Sequence, residues 1–304
     1  MSHLGVVVNP VAGKGRGSAA GARALDGLRA RGHRVEDLTA RDLLSATAQA
    51  RRAAVAGLDA LVVVGGDGLV HLGAQVVAET ALPLGIVSAG TGNDVARALG
   101  LPLRGLADQI AALEHGLDHG PRAIDAVRVG PPAHSAREWF LGALSCGVDA
   151  AVNARANAMT WPRGPARYVR ALAAELRGFR PYGYRVTTDD GVWESAGTVV
   201  VAANGPWIGG GVKVAPDALI DDGLLDVVIA GPFSRAGVVR IFPGMYSGRH
   251  LRHPNVHVSR TRRLLVEAVP ALGAAPPDAH ADGERIGPLP LAAVVEPGAV
   301  LALT

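Results

Sequence analysis

The stretch from Leu61 to Asp94 constrains the fold more than any other part of the chain. An apolar run over 61–64 leads into Gly65-Gly66-Asp67-Gly68, and a second over 84–87 leads into Gly90-Thr91-Gly92-Asn93-Asp94, with helical composition between them. Short β-branched runs that end at glycines are typical of buried parallel strands that open into tight loops. The stretch therefore predicts a strand–loop–helix–strand unit, with both loops at the carboxyl edge of a sheet, where open α/β folds bind ligands.

The glycines of these two loops favour a phosphate ligand. Backbone N–H groups approach phosphate oxygens closely only where no Cβ intervenes, and several positions in such loops are expected to need positive φ. Asp67 stands inside the first loop, where it would repel a polyphosphate unless a divalent cation or a proton lay between them. The alternative is a pair of plain turns in which the aspartate serves turn geometry.

A third glycine-rich loop follows the first strand, which is expected over 4–8. It reads Asn9-Pro10-Val11-Ala12-Gly13-Lys14-Gly15-Arg16-Gly17 and precedes a helix expected over 18–31. The loop lacks the Gly-Lys-Ser/Thr ending of a Walker A loop and the third glycine of the dinucleotide fingerprint. A helix N-terminus behind a loop with glycines and two cations is nevertheless a typical anion site.

Composition sets broader bounds on the protein. Its 304 residues allow two domains, and its net charge of +3 suits phosphorylated ligands or an anionic membrane surface. Cys146 is the single cysteine and lies in an apolar run, so we expect it in the core and exclude an intrachain disulfide. Neither a signal peptide nor an apolar stretch of membrane-spanning length is apparent, which predicts a cytoplasmic protein.

The pattern of elements changes near the middle of the chain. Strands and helices alternate up to about residue 129, including a helix over 42–56 with Leu43 and Leu44 expected to face inward. Strand-like segments then dominate, among them one over 139–144 and two final strands separated by a turn at 296–298. Alternation followed by a run of strands predicts two domains of different class, an α/β domain over 1–124 and a β-rich domain over 125–304.

These motifs, in this order, resemble the bacterial diacylglycerol kinase / sphingosine kinase family of lipid kinases. The second half of the chain adds the family's later motifs, which are Asn204-Gly-Pro-Trp-Ile-Gly-Gly-Gly, Ala215-Pro-Asp-Ala, Asp222-Gly-Leu-Leu-Asp226 and Asp282-Gly-Glu284. The resemblance covers almost the whole chain. It implies an N-terminal α/β domain like that of NAD kinases and phosphofructokinases, followed by a lipid-binding C-terminal β-sandwich.

The resemblance also implies which residues hold the nucleotide. They are Asn9, Pro10, Val11, Ala12, Gly13, Thr39, Gly65, Gly66, Asp67, Gly68, Leu69, Val70, His71 and Thr91. We add Lys14 and Arg16 because of their charge, and Gly92, Asn93 and Asp94 because of their place in the second loop. The implied reaction is phosphoryl transfer from ATP, with Mg²⁺, to a lipid hydroxyl, which needs a positioned base and neutralisation of developing charge.

Two carboxylate sites compete for the role of base. The resemblance to bacterial diacylglycerol kinases indicates Glu284, with Asp282 beside it, whereas the resemblance to sphingosine kinases indicates Asp67. A Mg²⁺ site is implied at Asp222, where the backbone carbonyls of Leu219 and Leu224 would share the ligation. A plain hairpin turn is the alternative at Asp222.

The chain departs from the bacterial pattern just after Gly65-Gly66-Asp67-Gly68. Bacterial members commonly carry Thr there, followed by Asn-Glu, whereas this chain reads Leu69-Val70-His71-Leu72. Leu69 is more similar to the sphingosine kinases, which leaves the acceptor lipid open between the two branches.

Two basic features are candidates for contact with an anionic membrane. A helix expected after Trp161 has one basic face and one apolar face; the basic residues are Arg163, Arg167, Arg170 and Arg177, and the apolar ones are Val169, Leu172, Ala173 and Leu176. The second feature spans 235–263 and contains seven arginines and no Asp or Glu. No nucleic-acid module accompanies these cations, so we expect no nucleic-acid partner.

The sequence therefore predicts an ATP- and Mg²⁺-dependent lipid kinase that phosphorylates diacylglycerol and touches a membrane peripherally. The alternatives are a sphingoid-base or ceramide-type kinase, an NAD kinase, and a nucleotide-binding regulator without catalysis. The sequence leaves room for a homodimer.

Overall fold

The computed structural model describes residues 1–9, 17–133, 138–162 and 165–304. The chain forms two compact units, one of Met1–Ala126 with Glu296–Thr304 and the other of Val127–Val295. The first unit is therefore discontinuous in sequence, because the C-terminal residues return to it after the second unit is complete.

The first unit alternates strands and helices, as the sequence predicts. Its strands are β1 (His3–Val8), β2 (Arg34–Asp37), β3 (Ala60–Gly65), β4 (Leu84–Ser88), the first half of β5 (Arg122–Gly130) and the end of β18 (Leu291–Ala302). Its helices are α1 (Gly17–Ala30), α2 (Leu43–Val55), α3 (Asp67–Val77), α4 (Asp94–Ala98) and α5 (Leu106–His119).

A parallel sheet in the order β2–β1–β3–β4–β18 forms the centre of this unit. Every residue of β3 is buried, as expected of a strand with helices on both faces of its sheet. Val62 of β3 packs in one core with Leu28 of α1 and Leu113 of α5. The arrangement brings the ends of β3 and β4, and the two loops that follow them, to one edge of the sheet.

Helix α2 turns a different face inward from the one predicted. Leu43 and Leu44 are 43% and 83% exposed, while Ala46, Ala50 and Ala53 are buried. Asp42 caps the helix by accepting a hydrogen bond from the Ser45 amide, so Leu43 and Leu44 lie in the first turn at the helix end. The alanine stripe gives the close approach to the sheet that branched side chains would prevent.

The second unit contains most of the remaining strands. They are the second half of β5, β6 (Glu138–Phe140), β7 (Ala143–Gly147), β8 (Tyr182–Thr188), β9 (Gly191–Gly197), β10 (Val199–Ala203), β11 (Trp207–Ile208), β12 (Val212–Lys213), β13 (Leu225–Ala230), β14 (Val256–Thr261), β15 (Arg263–Ala268), β16 (Ala279–Ala281), β17 (Glu284–Gly287) and the first half of β18. The helices are α6 (Val148–Ala158), α7 (Pro165–Gly178), α8 (Arg235–Met245) and a 3₁₀ helix at Arg249–Arg252. Neither α6 nor α8 was predicted from the sequence.

Two antiparallel sheets of this unit form a β-sandwich, which confirms the predicted fold. One has the order β14–β13–β10–β7–β16–β17, and the other contains β18, β15, β8 and β9. Leu144, Val200 and Leu225 of the first sheet share a core with Val186 and Val266 of the second. Alternate residues of each strand fill this core, as in other sandwiches. Cys146 is buried in the same core, as predicted.

Two predicted element boundaries are wrong. The segment 139–144 is not one strand, because β6 pairs with β5 while β7 pairs with β10, and the chain changes sheets at Leu141–Gly142. The predicted turn at 296–298 lies inside the single strand β18. Gly298 has a φ of 64°, and its amide donates to Asp125 Oδ1 at 2.9 Å. The turn-like sequence at 296–298 therefore produces a local kink within the strand rather than a strand end.

No helix in the described ranges of the chain is long and apolar enough to cross a membrane.

Candidate active site

The loops that follow β3 and β4 are joined to each other by hydrogen bonds. The Gly65 carbonyl accepts from the Gly90 amide at 3.1 Å. Asp67 Oδ1 accepts from the amides of Asp94 and Val95, at 2.7 and 3.2 Å. Asp67 is the first residue of α3, and its carboxylate thus caps the start of α4 in the other loop. The candidate base in this unit therefore also has a structural role.

The loop glycines allow the two loops to approach backbone to backbone. A Cβ on Gly66 would lie 3.1 Å from the Gly90 Cα, and a Cβ on Gly90 would lie 2.4 Å from the Gly66 Cα. None of the glycines in these two loops has positive φ, which occurs instead at Asn93, with φ of 55°. The expectation that the loop glycines would adopt positive φ is therefore wrong, and their missing Cβ serves close contact between the loops.

The second loop is braced by one of its own side chains. Asn93 Oδ1 accepts from the Gly90 amide at 3.1 Å, and Asn93 Nδ2 donates to the Gly90 carbonyl at 3.2 Å. Asn93 and Asp94 are only 9% and 7% exposed, whereas Thr91 is exposed. Of the residues predicted in this loop, Thr91 is therefore the one whose side chain is open to a ligand.

Helix α3 begins directly at the first loop. The side chains of Leu69, Val70 and His71 are 2%, 2% and 6% exposed and lie in the interior. Gly66 and Gly68 at the start of the helix are half-exposed. Contact with a nucleotide at this position would therefore pass through the helix N-terminus and its backbone amides, and the three buried side chains could not take part.

Two further predicted residues lie at the carboxyl ends of β1 and β2. The Val8 amide donates to Thr39 Oγ1 at 3.1 Å, and the Asn9 amide donates to the Val64 carbonyl at 3.1 Å. The Thr39 hydroxyl keeps its own proton as a donor for a ligand. The other residues predicted in the first loop lie outside the described residues; they are Pro10, Val11, Ala12, Gly13, Lys14 and Arg16.

In the second unit, Asp282 and Gly283 form the turn of a hairpin that the sequence analysis missed. They connect β16 to β17 with φ values of 51° and 90°, the pattern of a two-residue type I′ turn. Asp-Gly is a preferred sequence for this turn, so the signal was present in the chain. The turn places Glu284 at the first position of β17.

Asp282 anchors this hairpin to the point where the chain changes sheets. Its two carboxylate oxygens accept from the amides of Leu141, Gly142 and Ala143 at 2.9, 2.8 and 3.2 Å. Asn204, which is completely buried, donates from Nδ2 to the Leu141 carbonyl at 2.8 Å. Asn204 and Asp282 therefore both fix the backbone of segment 141–143, although they are far apart in sequence.

Glu284 differs from its neighbour because its carboxylate has no protein partner among the residues that the structure describes. The side chain is half-buried, and the turn before it is held by Asn153, whose Nδ2 donates to the Gly283 carbonyl at 3.0 Å. Asp282 is thus engaged by backbone amides, while Glu284 follows an anchored turn and has no partner among the described residues. A general base must be able to reach the proton that it accepts, which makes Glu284 the candidate to test.

Comparison with known proteins agrees with this arrangement. Residues 3–129 match the diacylglycerol kinase catalytic domain, and residues 142–304 match the YegS C-terminal NAD kinase beta sandwich-like domain. A diacylglycerol kinase of Mycobacterium tuberculosis is 36% identical over 299 residues, covering 98% of this chain and 93% of that protein. The chain belongs to the diacylglycerol kinase family of lipid kinases. It is therefore a phosphotransferase, and membership of a kinase family implies the use of ATP.

Further similarities are to a protein named as a lipid kinase and to two solved kinase structures. A probable YegS-like lipid kinase of Pseudomonas savastanoi is 31% identical over 252 residues, covering 82% of this chain and 76% of that protein. The crystal structure of a putative diacylglycerol kinase from Bacillus anthracis has a TM-score of 0.75 at 20% identity and covers 99% and 96% of the two chains. Yeast NADH kinase, complexed with NADH, has a TM-score of 0.52 at 10% identity and covers 99% and 82%. Both structures show a shared fold.

Both carboxylate oxygens of Asp222, the residue implied as a Mg²⁺ ligand, have protein partners in this lipid kinase. One oxygen of Asp222 accepts from the Leu224 amide at 3.0 Å, and the other forms an ion pair with Arg260. Arg260 Nε also lies 3.5 Å from Asp226 Oδ2, and Leu219 is 57% exposed. Across the described ranges, no group of three or more acidic, His or Cys side chains could hold a metal ion. Arg260 thus pairs with the carboxylate that the resemblance assigns to Mg²⁺.

A polar cluster of Ser145, Asp149 and His280 beside the Glu284 hairpin was not predicted. The Ser145 hydroxyl donates to Asp149 on α6, and His280 of β16 stands opposite Ser145 in the strand pair. Burial raises the pKa of the Asp149 carboxyl, while hydrogen bonds from Ser145 and the Ala150 amide oppose that shift. The sequence offered no signal for the cluster, because α6 itself was not predicted.

Proposed function

We propose that this lipid kinase transfers the γ-phosphoryl group of MgATP to the free hydroxyl of diacylglycerol, giving phosphatidic acid. The observation that carries the proposal is the Glu284 carboxylate, half-buried on an anchored hairpin and without a protein partner among the described residues. The similarity to the Mycobacterium tuberculosis protein named diacylglycerol kinase supports the choice of acceptor over the sphingoid-base and NAD alternatives.

The first unit would bind the nucleotide at the carboxyl edge of its sheet. The α3 N-terminus carries Gly66 at its cap, where there is no capping side chain, so backbone N–H groups there suit phosphate oxygens. Thr39 and Thr91 would add hydroxyl donors. Asp67 would act mainly by fixing the loop after β3 against the loop after β4. Lys14 and Arg16 would add positive charge from the loop after β1. Magnesium bound with ATP supplies charge neutralisation during transfer.

The chemistry assigned to the second unit is proton removal from the lipid. The acceptor hydroxyl oxygen bonds to the γ-phosphorus as the bond from phosphorus to the ADP oxygen breaks, and the hydroxyl proton passes to Glu284. A positioned carboxylate in this role contributes roughly a hundredfold or more in rate. Asp282 would be a positioning residue, because its oxygens are engaged by the 141–143 amides that fix the turn.

The enzyme would work in the cytoplasm, in peripheral contact with an anionic membrane through α7 and the segment before it. Trp161 and Val169 are 70% and 69% exposed, and the Arg170 guanidinium lies 5.2 Å from the Trp161 ring centroid. Exposed aromatic and aliphatic side chains beside arginines suit the interface between headgroups and acyl chains. Of the apolar face expected on this helix, Val169 and Ala173 are exposed, whereas Leu176 packs inward. Arg163 lies outside the described residues.

The test is a radiolabelled ATP assay on purified protein with diacylglycerol, sphingosine, ceramide and NAD as separate acceptors. We expect label in phosphatidic acid and little in the other products. Transfer mainly to sphingosine or ceramide would move the enzyme to the other branch of the family, and transfer to NAD would contradict the lipid assignment. Absence of transfer to every acceptor, with ATP binding intact, would favour a regulator without catalysis.

A further inference from the structure

Helix α8 and the 3₁₀ helix after it form a pocket of about 590 Å³ in the second unit. Its lining includes the side chains of Arg240, Arg249, Arg252 and His253, with Phe233 and Ile241 as apolar walls. A cavity of this size is large enough for a small organic or lipid headgroup. It belongs to neither set of residues assigned to phosphoryl transfer.

The three arginines of the pocket have no carboxylate partner among the described residues. The sequence between Asp226 and Glu267 contains no Asp or Glu, and neither do the residues outside the described ranges. Within the wider basic segment 235–263, Arg260 differs, because it pairs with Asp222 and Asp226. Arg260 is thus neutralised by carboxylates of the protein, whereas Arg240, Arg249 and Arg252 are exposed and line one pocket.

A buried histidine anchors the 3₁₀ helix that carries Arg249 and Arg252. His250 is 5% exposed, and its Nε2 lies 3.0 Å from the Val214 carbonyl, which it meets as a donor. Because His250 points into the protein, Arg249 and Arg252 on either side of its short helix are left exposed. Holding several cations around one cavity without a counter-charge costs free energy, which an anionic ligand would recover.

The neighbouring surface indicates where such an anion would come from. Val239 and Tyr246, seven residues apart in and just after α8, are 58% and 55% exposed. Helices α7 and α8 also share one apolar core, which contains Leu176 and Val238. Phe233 and Ile241 of the pocket belong to this same core, so the pocket is next to the helix assigned to membrane contact. Val239 and Tyr246 lie on the other face of α8, where exposed apolar and aromatic side chains suit a bilayer interface better than free solvent.

We propose that this pocket binds the phosphate headgroup of an anionic phospholipid in the bilayer, separately from the lipid that is phosphorylated. Arg240, Arg249 and Arg252 would contact the phosphate oxygens, and Phe233 and Ile241 would pack against the glycerol region. The proposal rests on the proposed function and extends it, because the pocket would give the enzyme a second membrane contact besides α7.

The test is sedimentation of the full chain with phosphatidylcholine vesicles that contain or lack phosphatidylglycerol. The pocket variant is Arg240→Gln/Arg249→Gln/Arg252→Gln. The matched control, Arg23→Gln/Arg52→Gln/Arg104→Gln, removes the same charge from exposed arginines of the first unit. We expect the pocket variant to lose on the order of a hundredfold in partitioning to anionic vesicles, and the control to lose much less. Equal losses in both variants, or none in the pocket variant, would overturn the proposal.

Further arms separate folding, ligand source and catalysis. The pair Arg249→Gln and Arg252→Gln, each made singly and checked by thermal melting, keeps the test valid if the triple variant does not fold. Calorimetry with inorganic phosphate and with glycerol phosphate covers the soluble source; pocket-dependent binding of these anions together with unchanged vesicle binding would overturn the lipid assignment. Activity of the wild type on a short-chain soluble diacylglycerol tests the proposed function by itself, so either proposal can fail without the other.

Discussion

At the scale of single residues, the structure gives Asp282 and Glu284 different surroundings, which the sequence could not distinguish. Asp282 is held by the amides of Leu141, Gly142 and Ala143, whereas Glu284 has no partner in the described part of the chain. A motif shows only that both carboxylates are present. Their roles follow from which backbone amides lie within reach, and that depends on a chain segment about 140 residues earlier.

The anchor at Asp282 gives the first prediction. Asp282→Ala should lower the free energy of unfolding by roughly 2 kcal/mol, because it leaves three amide donors without an acceptor. Asp282→Asn should lose less, since its amide oxygen still accepts. Glu284→Gln should leave stability nearly unchanged. Urea denaturation of the three variants measures these differences, and an Asp282→Ala variant as stable as the wild type would contradict the anchoring role.

Asp149 predicts a pH dependence of stability. Burial raises the pKa of this carboxyl in the folded protein, so the folded state holds the proton more tightly than the unfolded state. Its contribution to stability is complete below the ordinary Asp pKa and is lost as the pH rises through the folded-state pKa. Asp149→Asn should therefore be more stable than the wild type near pH 7, with the difference shrinking below about pH 4. Thermal melts at several pH values test this, and a pH-independent difference would contradict it.

At the scale of elements, neighbouring loops and neighbouring helices are joined in pairs. The two glycine loops of the first unit work as one piece, because Asp67 caps α4 and Gly66 meets Gly90 across the contact. Helices α7 and α8 share a core and leave arginines and apolar side chains on their outer faces. In both cases the structural unit is a pair of elements rather than a single motif.

The loop pair gives a prediction for Gly66. Its backbone is extended, but a Cβ would lie 3.1 Å from the Gly90 Cα, so Gly66→Val should push the loops apart and abolish ATP binding while the sheet remains folded. Gly178→Val is the matched control, because a Cβ there meets no atom within 4 Å. Calorimetric ATP titration and circular dichroism measure the two effects. Normal ATP affinity in a folded Gly66→Val protein would contradict the assignment of this loop to nucleotide binding.

The outer face of α7 gives a prediction for membrane contact. Changing Arg163, Arg167 and Arg170 to Glu should weaken binding to anionic vesicles and raise the apparent KM for lipid presented in them. Turnover of a short-chain soluble lipid should fall much less, because the substitutions are far in sequence from Glu284 and the nucleotide loops. Equal loss on both forms of substrate would indicate misfolding or direct contact with the reacting groups.

At the scale of the whole molecule, local patterns predicted the two classes of architecture but not the long-range contacts. The alternation around β3 and β4 was visible because buried parallel strands are apolar throughout, and the later run of short strands indicated the sandwich. The strand break at Leu141–Gly142 was not visible, since Asp282 and Asn204 define it from distant positions. The Arg260 pairing with Asp222 was hidden for the same reason, because the two residues are far apart in sequence.

If Glu284 is the base and Asp67 belongs to the nucleotide loops, variants of these two residues should fail in different ways. Single-turnover kinetics and ATP calorimetry should be measured for Glu284→Gln and Asp67→Asn. We expect Glu284→Gln to lose at least roughly a hundredfold in kcat with little change in ATP affinity. Asp67→Asn should bind MgATP more weakly as well as turn over more slowly. Near-normal turnover in Glu284→Gln, together with an inactive Asp67→Asn that binds MgATP fully, would contradict the account and make Asp67 the base.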